Sequence, residues 1–217
     1  GKFPVLDYVS ASLDGAFTEK DENDPSALTI WGIFKNPDNQ SRIILVHAWR
    51  KHLKFSGPRI PMGANESAAA YRRRTMSEWG LMEWVNDTCE RFKVDKLLIE
   101  AKASGISAAQ ELQNRYNAKT WAIQLCQVQG DKEARALAVQ PTFSQLLVYA
   151  PDREWAELVI EEMAVFPKGR YKDLTDSATQ AMKHLRDVGL AQTDDEVHRA
   201  EMENVMHKPK PKALYPV

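Results

Sequence analysis

Apolar residues cluster in short extended runs along the first third of the chain. Further on they recur every three or four positions. Val5 to Leu13 is extended and apolar with small residues, and it stops at Asp14-Gly15. Ala27 to Phe34 (ALTIWGIF) and Arg42 to Trp49 (RIILVHAW) are rich in the β-branched and aromatic side chains that suit a pleated, half-buried surface. A polar stretch from Thr18 to Pro25 separates the first run from the second, and Asn36-Pro37-Asp38-Asn39 separates the second from the third. Both separators read as turns, so the pattern predicts an antiparallel three-strand meander.

Phe55 to Asn65 carries two prolines and two glycines and predicts a loop. Met76, Trp79, Met82, Val85, Cys89 and Phe92 then make one apolar stripe, which predicts a single long helix. Lys96 to Ile99 reads as a short buried strand ending at Glu100. Gly105 leads into a helix with Ile106, Ala109, Leu112 and Tyr116 inward, and Thr120 to Leu125 is the next strand. A helix from Asp131 to Val139 carries Lys132 and Arg135 at its start. Leu146 to Tyr149 reads as a strand, and Asp152 to Met163 as a helix after Pro151. Phe166-Pro167-Lys168-Gly169 is a break. The last core helix, Leu174 to Val188, turns Ala178, Ala181, Leu185 and Val188 inward and stops at Gly189. Thr193 with Glu196 caps a short extra helix. The tail from Lys208 to Val217 holds three prolines and three lysines and reads as a mobile or partner-bound arm.

The order βββ-α-β-α-β-α, followed by more helices, implies an α/β fold with a mixed sheet covered by helices. The 217 residues suffice for one substantial core. They divide into a domain over 1–190 and a C-terminal helix and Pro/Lys-rich tail over 191–217. Gly1 without a preceding Met suggests that the natural chain is longer.

Composition narrows the function. Hydrophobic residues make up 43% and charged residues 27%, which is ordinary for a globular domain. No apolar run approaches the roughly 20 residues a membrane helix needs, so no membrane role is expected. The net charge of −1 excludes a strongly basic nucleic-acid binder, leaving local patches to make any DNA contact. Cys89 and Cys126 form no CxxC pair, which argues against zinc and against a disulfide framework. Both read as small buried hydrophobes in a reducing compartment.

Acidic residues fall where elements end. Asp14 closes the first strand, Glu100 closes the fourth, and Asp173 and Asp176 open the last core helix. If the first and fourth strands are parallel neighbours, Asp14 and Glu100 leave the sheet about 4.8 Å apart. Asp173 and Asp176, three positions apart, share a helix face. Phosphodiester cleavage must stabilise charge on the attacking and departing oxygens. Two divalent ions about 3.5–4 Å apart do so, and hard ions such as Mg²⁺ and Mn²⁺ take carboxylate oxygens. The plainer readings are a turn residue at Asp14, a surface acid at Glu100 and helix caps at Asp173 and Asp176.

Four segments carry a family likeness: SASLDGAF with ENDPSALTIWGIF (Ser10 to Phe34), LLIEAKASG (Leu97 to Gly105), GDKEARA (Gly130 to Ala136) and FPKGRYKDLTDSATQAM (Phe166 to Met182). In this order and spacing the sequence resembles the nuclease domain of the large terminases of tailed phages. The resemblance implies an RNase H-like fold and cleavage of double-stranded DNA with two divalent ions, Mg²⁺ or Mn²⁺. It implies Asp14, Glu100 and Asp176 as catalytic metal ligands, with Asp173 as a further ligand. Here Lys172-Asp173 replaces the two adjacent acids that the family often shows before its final Asp. Asp24 also matches an acidic family position, or simply forms a turn before Pro25. For the full-length protein the resemblance implies the phage portal and procapsid and the small terminase subunit as partners, in the host cell cytoplasm. No GxxxxGK[ST] phosphate loop is present, so the expectation is cutting without translocation. Two alternatives stay open: another RNase H-like nuclease such as a junction resolvase, and a non-catalytic module docking on portal or capsid.

Lys168, Arg170 and Lys172 neighbour the last acids in sequence and Lys102 follows Glu100, so all four are candidate DNA-backbone contacts. Arg72-Arg73-Arg74 reads as a solvated helix start or a phosphate contact. Lys132 and Arg135 belong to the Asp-Lys-x-x-Arg likeness or form ion pairs within the fold. His47 and His52 read as structural, His184 reaches a metal only if its helix faces one, and the six tryptophans read as core.

Overall fold

The computed structural model describes residues 3–15, 24–117, 119–127 and 130–206. Residues 18–23 of the turn expected from Thr18 to Pro25, and the Pro/Lys-rich tail, lie outside them.

The meander forms as the pattern requires. Strands β1 (Tyr8–Asp14), β2 (Ser26–Lys35) and β3 (Ser41–Lys51) pair antiparallel in sequence order. Helix α1 (Ala68–Thr75), a 3₁₀ turn (Met76–Glu78) and α2 (Leu81–Arg91) lead to β4 (Lys96–Glu100), which runs parallel to β1. Helix α3 (Ala103–Arg115) crosses to β5 (Ala122–Cys126), parallel to β4. Helix α4 (Lys132–Ser144) precedes β6 (Val148–Tyr149), which pairs with β3. Helices α5 (Glu154–Val165), α6 (Asp173–Asp187) and α7 (Asp194–Met206) follow. The sheet order is β5-β4-β1-β2-β3-β6.

Alternation along the strands gives the sheet two buried faces. Leu13, Leu28, Ile30 and Leu97 face one way and pack with Leu81, Val85 and Leu112 of α2 and α3. Trp31, Leu45 and Leu98 face the other way and pack with Val159 of α5 and Ala178 and Leu185 of α6. Ser10 and Ser12 are also buried in β1. Ser12 fastens α6 to the sheet: its carbonyl accepts from Ser177 Oγ at 2.7 Å and its Oγ accepts from Gln180 Nε2 at 3.0 Å. Each such bond contributes about 1 kcal/mol.

The single long helix expected from Met76 to Phe92 is instead broken at Gly80. Glu83 accepts from Gly80 N–H at 2.9 Å and from Gly57 N–H at 2.7 Å, tying the loop to the start of α2. A side chain at Gly80 would strike the Ser56 backbone, at 2.6 Å from its carbonyl carbon. In α3 the inward face is Gly105, Ala108, Ala109 and Leu112, while Ile106 is 40% exposed. Val188 lies past the end of α6 and is exposed. Cys89 is buried, Cys126 only half-buried. Thr193 and Glu196 cap α7 reciprocally, with Glu196 N–H donating to Thr193 Oγ1 at 3.2 Å and Thr193 N–H to Glu196 Oε2 at 2.8 Å. Among the described residues no helix is long and apolar enough to cross a membrane.

Candidate active site

Leu13 and Ile99 pair across the parallel β1–β4 boundary. The next residues, Asp14 and Glu100, therefore leave the sheet together, and alternation puts them on the face that α6 covers. Asp176 lies one turn into α6 and is 8% exposed. Asp14, Glu100 and Asp176 line one pocket of about 30 Å³ with Lys102, Lys132, Arg135 and Gln180.

The charges interact strongly. Burial, then the carboxylate of Asp176, with smaller contributions from Asp173 and Glu100, pushes the Asp14 carboxyl up to about 7 against the pull of Lys132. Asp173 is half-buried and also raised, by burial first and by Asp176, while Arg50 and Lys132 oppose the rise. Cations answer the acids. Lys102 Nζ is 2.6 Å from Glu100 Oε2. Lys132 Nζ bonds Asp176 Oδ2. Arg135 Nη1 lies 3.9 Å from Glu100 Oε1. Among the described residues Glu100 Oε1 and Arg135 Nε are both buried without a hydrogen-bond partner, an arrangement that native interiors rarely leave unanswered.

Of the residues singled out in the sequence, Asp14, Glu100, Asp176 and Lys102 meet at the pocket, and Asp173 stands beside it in the first turn of α6. Lys168 and Arg170 are exposed in the loop before α6, and Lys172 is its half-buried N-cap. These three do not line the pocket. Asp24 is exposed in the bend before β2. The arginine run sits in the last turn of α1, not at a helix start, and two of its members are paired within the fold, Arg72 with Asp87 and Arg74 with Glu66. His184 is buried on α6 between Tyr8 and Gln124 and does not line the pocket. His47 stacks on Phe92 with ring centres 4.7 Å apart.

Further contributors escaped sequence reasoning as site residues. Lys132 and Arg135, one turn apart on α4, reach the acids from the far side. Gln180 follows Asp176 by one turn, a spacing that could have flagged it. Arg50 lies over the Tyr171 ring at 3.9 Å, bonds Glu162 and acts on Asp173. Reading β3 as ending at Trp49 stopped one residue short of it.

Among the described residues no three Asp, Glu, His or Cys side chains stand close enough together to hold one ion. Glu100 and Asp176 each contact an ammonium instead. The donor set nevertheless fits a hard divalent cation. It is oxygen-only, Asp14 is destabilised as an anion by burial and then by its acidic neighbours, and a buried Glu100 oxygen has no hydrogen-bond partner among the described residues.

A mixed sheet in which parallel β1 and β4 end in acids, met by acids from a covering helix, fits the RNase H-like class of domains. The chain belongs to the terminase RNase H-like domain family, whose model matches residues 63–185. That span includes Glu100, Asp173 and Asp176 and begins after Asp14. Among solved structures, Thermus thermophilus RuvC is 15% identical and superposes with a TM-score of 0.42, covering 85% of this chain and 98% of its own. No curated protein matches.

Proposed function

We propose that this domain is a divalent-metal-dependent endonuclease that cuts double-stranded DNA during phage genome packaging. The observation that carries the reading is the meeting of Asp14, Glu100 and Asp176, from three separate elements, on one small pocket. Largely buried carboxylates that repel one another need compensating cations.

Asp14, Glu100 and Asp176 would hold the metal, with Asp173 assisting from the first turn of α6. Two Mg²⁺ or Mn²⁺ ions held there would supply an activated water and compensation for the charge developing on the leaving oxygen. Gln180 fixes the pocket wall through its bonds to Ser12 Oγ and the Leu98 carbonyl. Lys102, Lys168, Arg170 and Lys172 supply contacts to the DNA backbone, so sequence preference is weak. In the full-length protein the portal, procapsid and small terminase subunit are the partners, in the host cytoplasm.

Asp14→Ala tests the assignment. With its fold verified by circular dichroism, the variant loses Mn²⁺-dependent plasmid cutting. Retained cutting refutes the role of Asp14.

A further inference from the structure

We infer that Lys132 is a built-in counter-cation of the acid cluster, held where divalent metal binds and displaced when metal enters. The inference rests on the metal-dependent reading above.

Local structure does not explain where Lys132 sits. Asp131 caps α4, accepting from Ala134 N–H at 2.7 Å, which makes Lys132 the first helical residue. A cation is disfavoured at that positive end of a helix. The acids account for the placement instead. Lys132 Nζ bonds Asp176 and lines the pocket with Asp14 and Glu100.

The pair is built asymmetrically. The Asp176 side chain is 9% exposed and fixed in α6, whereas that of Lys132 is 52% exposed. The acid stays while the lysine stem has a free route into solvent. Lys102 repeats the pattern on Glu100, at 64% against 13%. Arg135 differs, being 15% exposed and held within the fold. The pocket volume of about 30 Å³ is on the scale of one or two water molecules. Divalent ions therefore need the space and the oxygens that the ammonium groups now take. Such an exchange would keep the acids compensated in the metal-free domain and make metal compete with a tethered cation.

Calorimetric titration of MnCl₂ into wild type, Lys132→Met and Lys132→Arg tests this. Lys132→Met is expected to bind Mn²⁺ roughly tenfold more tightly than wild type, since no ammonium must be displaced. It should also melt lower without metal, and Lys132→Arg should bind no more tightly than wild type. Equal or weaker binding by a folded Lys132→Met overturns the inference while leaving the metal site standing. A wild type that binds no Mn²⁺ overturns the underlying reading, and the inference with it. A second measurement uses wild type alone, so it does not depend on the variant folding. After reductive ¹³C-methylation, the Lys132 resonance should move to the position of solvated lysines as MgCl₂ saturates the site. A resonance that stays in place overturns the displacement.

Discussion

Asp14 and Glu100 occupy neighbouring ends of two parallel strands, one residue beyond the Leu13–Ile99 pair, and both project toward α6. Neither residue could meet the other without the crossover through α1 and α2 that brings β4 beside β1. The acid pair is therefore a property of the fold, and its electrostatics should register in folding as well as in cutting.

The raised Asp14 carboxyl gives a pH signature. Its folded value of about 7 exceeds its ordinary 3.8, so between these values the folded state binds the proton more tightly. The stability from this group is lost as pH rises through that window, by up to about 1.4 kcal/mol per pH unit. His47, lowered to about 4 by burial and then by Arg91 and Lys51, acts in the opposite sense, since its folded form resists protonation. His184 is lowered too, by burial first. The clean observable is thus a difference. In metal-free buffer, Asp14→Asn should gain melting temperature over wild type as pH rises from about 4 to 7, and no further above it. A pH-independent difference contradicts the electrostatic origin of the shift.

Gly105 sets the position of Glu100. A Cβ there would sit 2.1 Å from the Glu100 carbonyl oxygen. In an ordinary helix, Gly→Ala stabilises by about 0.5–1 kcal/mol. Here Gly105→Ala should destabilise by about 1–3 kcal/mol in urea unfolding, because backbone must shift, and should slow cutting by displacing Glu100. A stabilised variant contradicts this packing.

Glu83 organises the other face. It accepts from the Gly57 and Gly80 N–H groups and bonds Arg115, whose side chain is 12% exposed. Glu83→Ala leaves the two amide donors unanswered and removes one of the two carboxylates that pair with Arg115, which keeps Glu111, the Gly57 carbonyl and Ser56 Oγ. Chemical denaturation should show a loss of about 2–4 kcal/mol. A loss under about 1 kcal/mol would show that water replaces the carboxylate readily.

Much of this was legible in the chain. The meander, the strand ending at Glu100 and the helix carrying Asp176 follow from side-chain alternation and helical spacing, which reflect burial directly. Asp14 and Glu100 were legible because an acid closing an apolar strand must lie at an edge. The break at Gly80 was not, because it depends on Ser56 and Glu83 arriving from elsewhere in the chain. The places of Lys132 and Arg135 were hidden for a similar reason, since they depend on how α4 packs against α6. Arg50 was hidden by one residue of strand length, where hydrophobicity gives way to charge while sheet pairing continues.

Lys168 and Arg170 are exposed beside the N-terminus of α6, where backbone phosphates approaching the pocket would pass. The double variant Lys168→Ala/Arg170→Ala should bind DNA more weakly at low salt. The slope of log affinity against log salt should fall by about 0.9 for each phosphate that is no longer neutralised. An unchanged slope removes these residues from the DNA path.

The most direct test is a crystal of the domain soaked in MnCl₂ and measured at a wavelength that reveals manganese. The expected result is manganese bound by carboxylate oxygens of Asp14, Glu100 and Asp176 together. Manganese bound elsewhere, or these three side chains turned toward different surroundings, would contradict the metal-dependent reading.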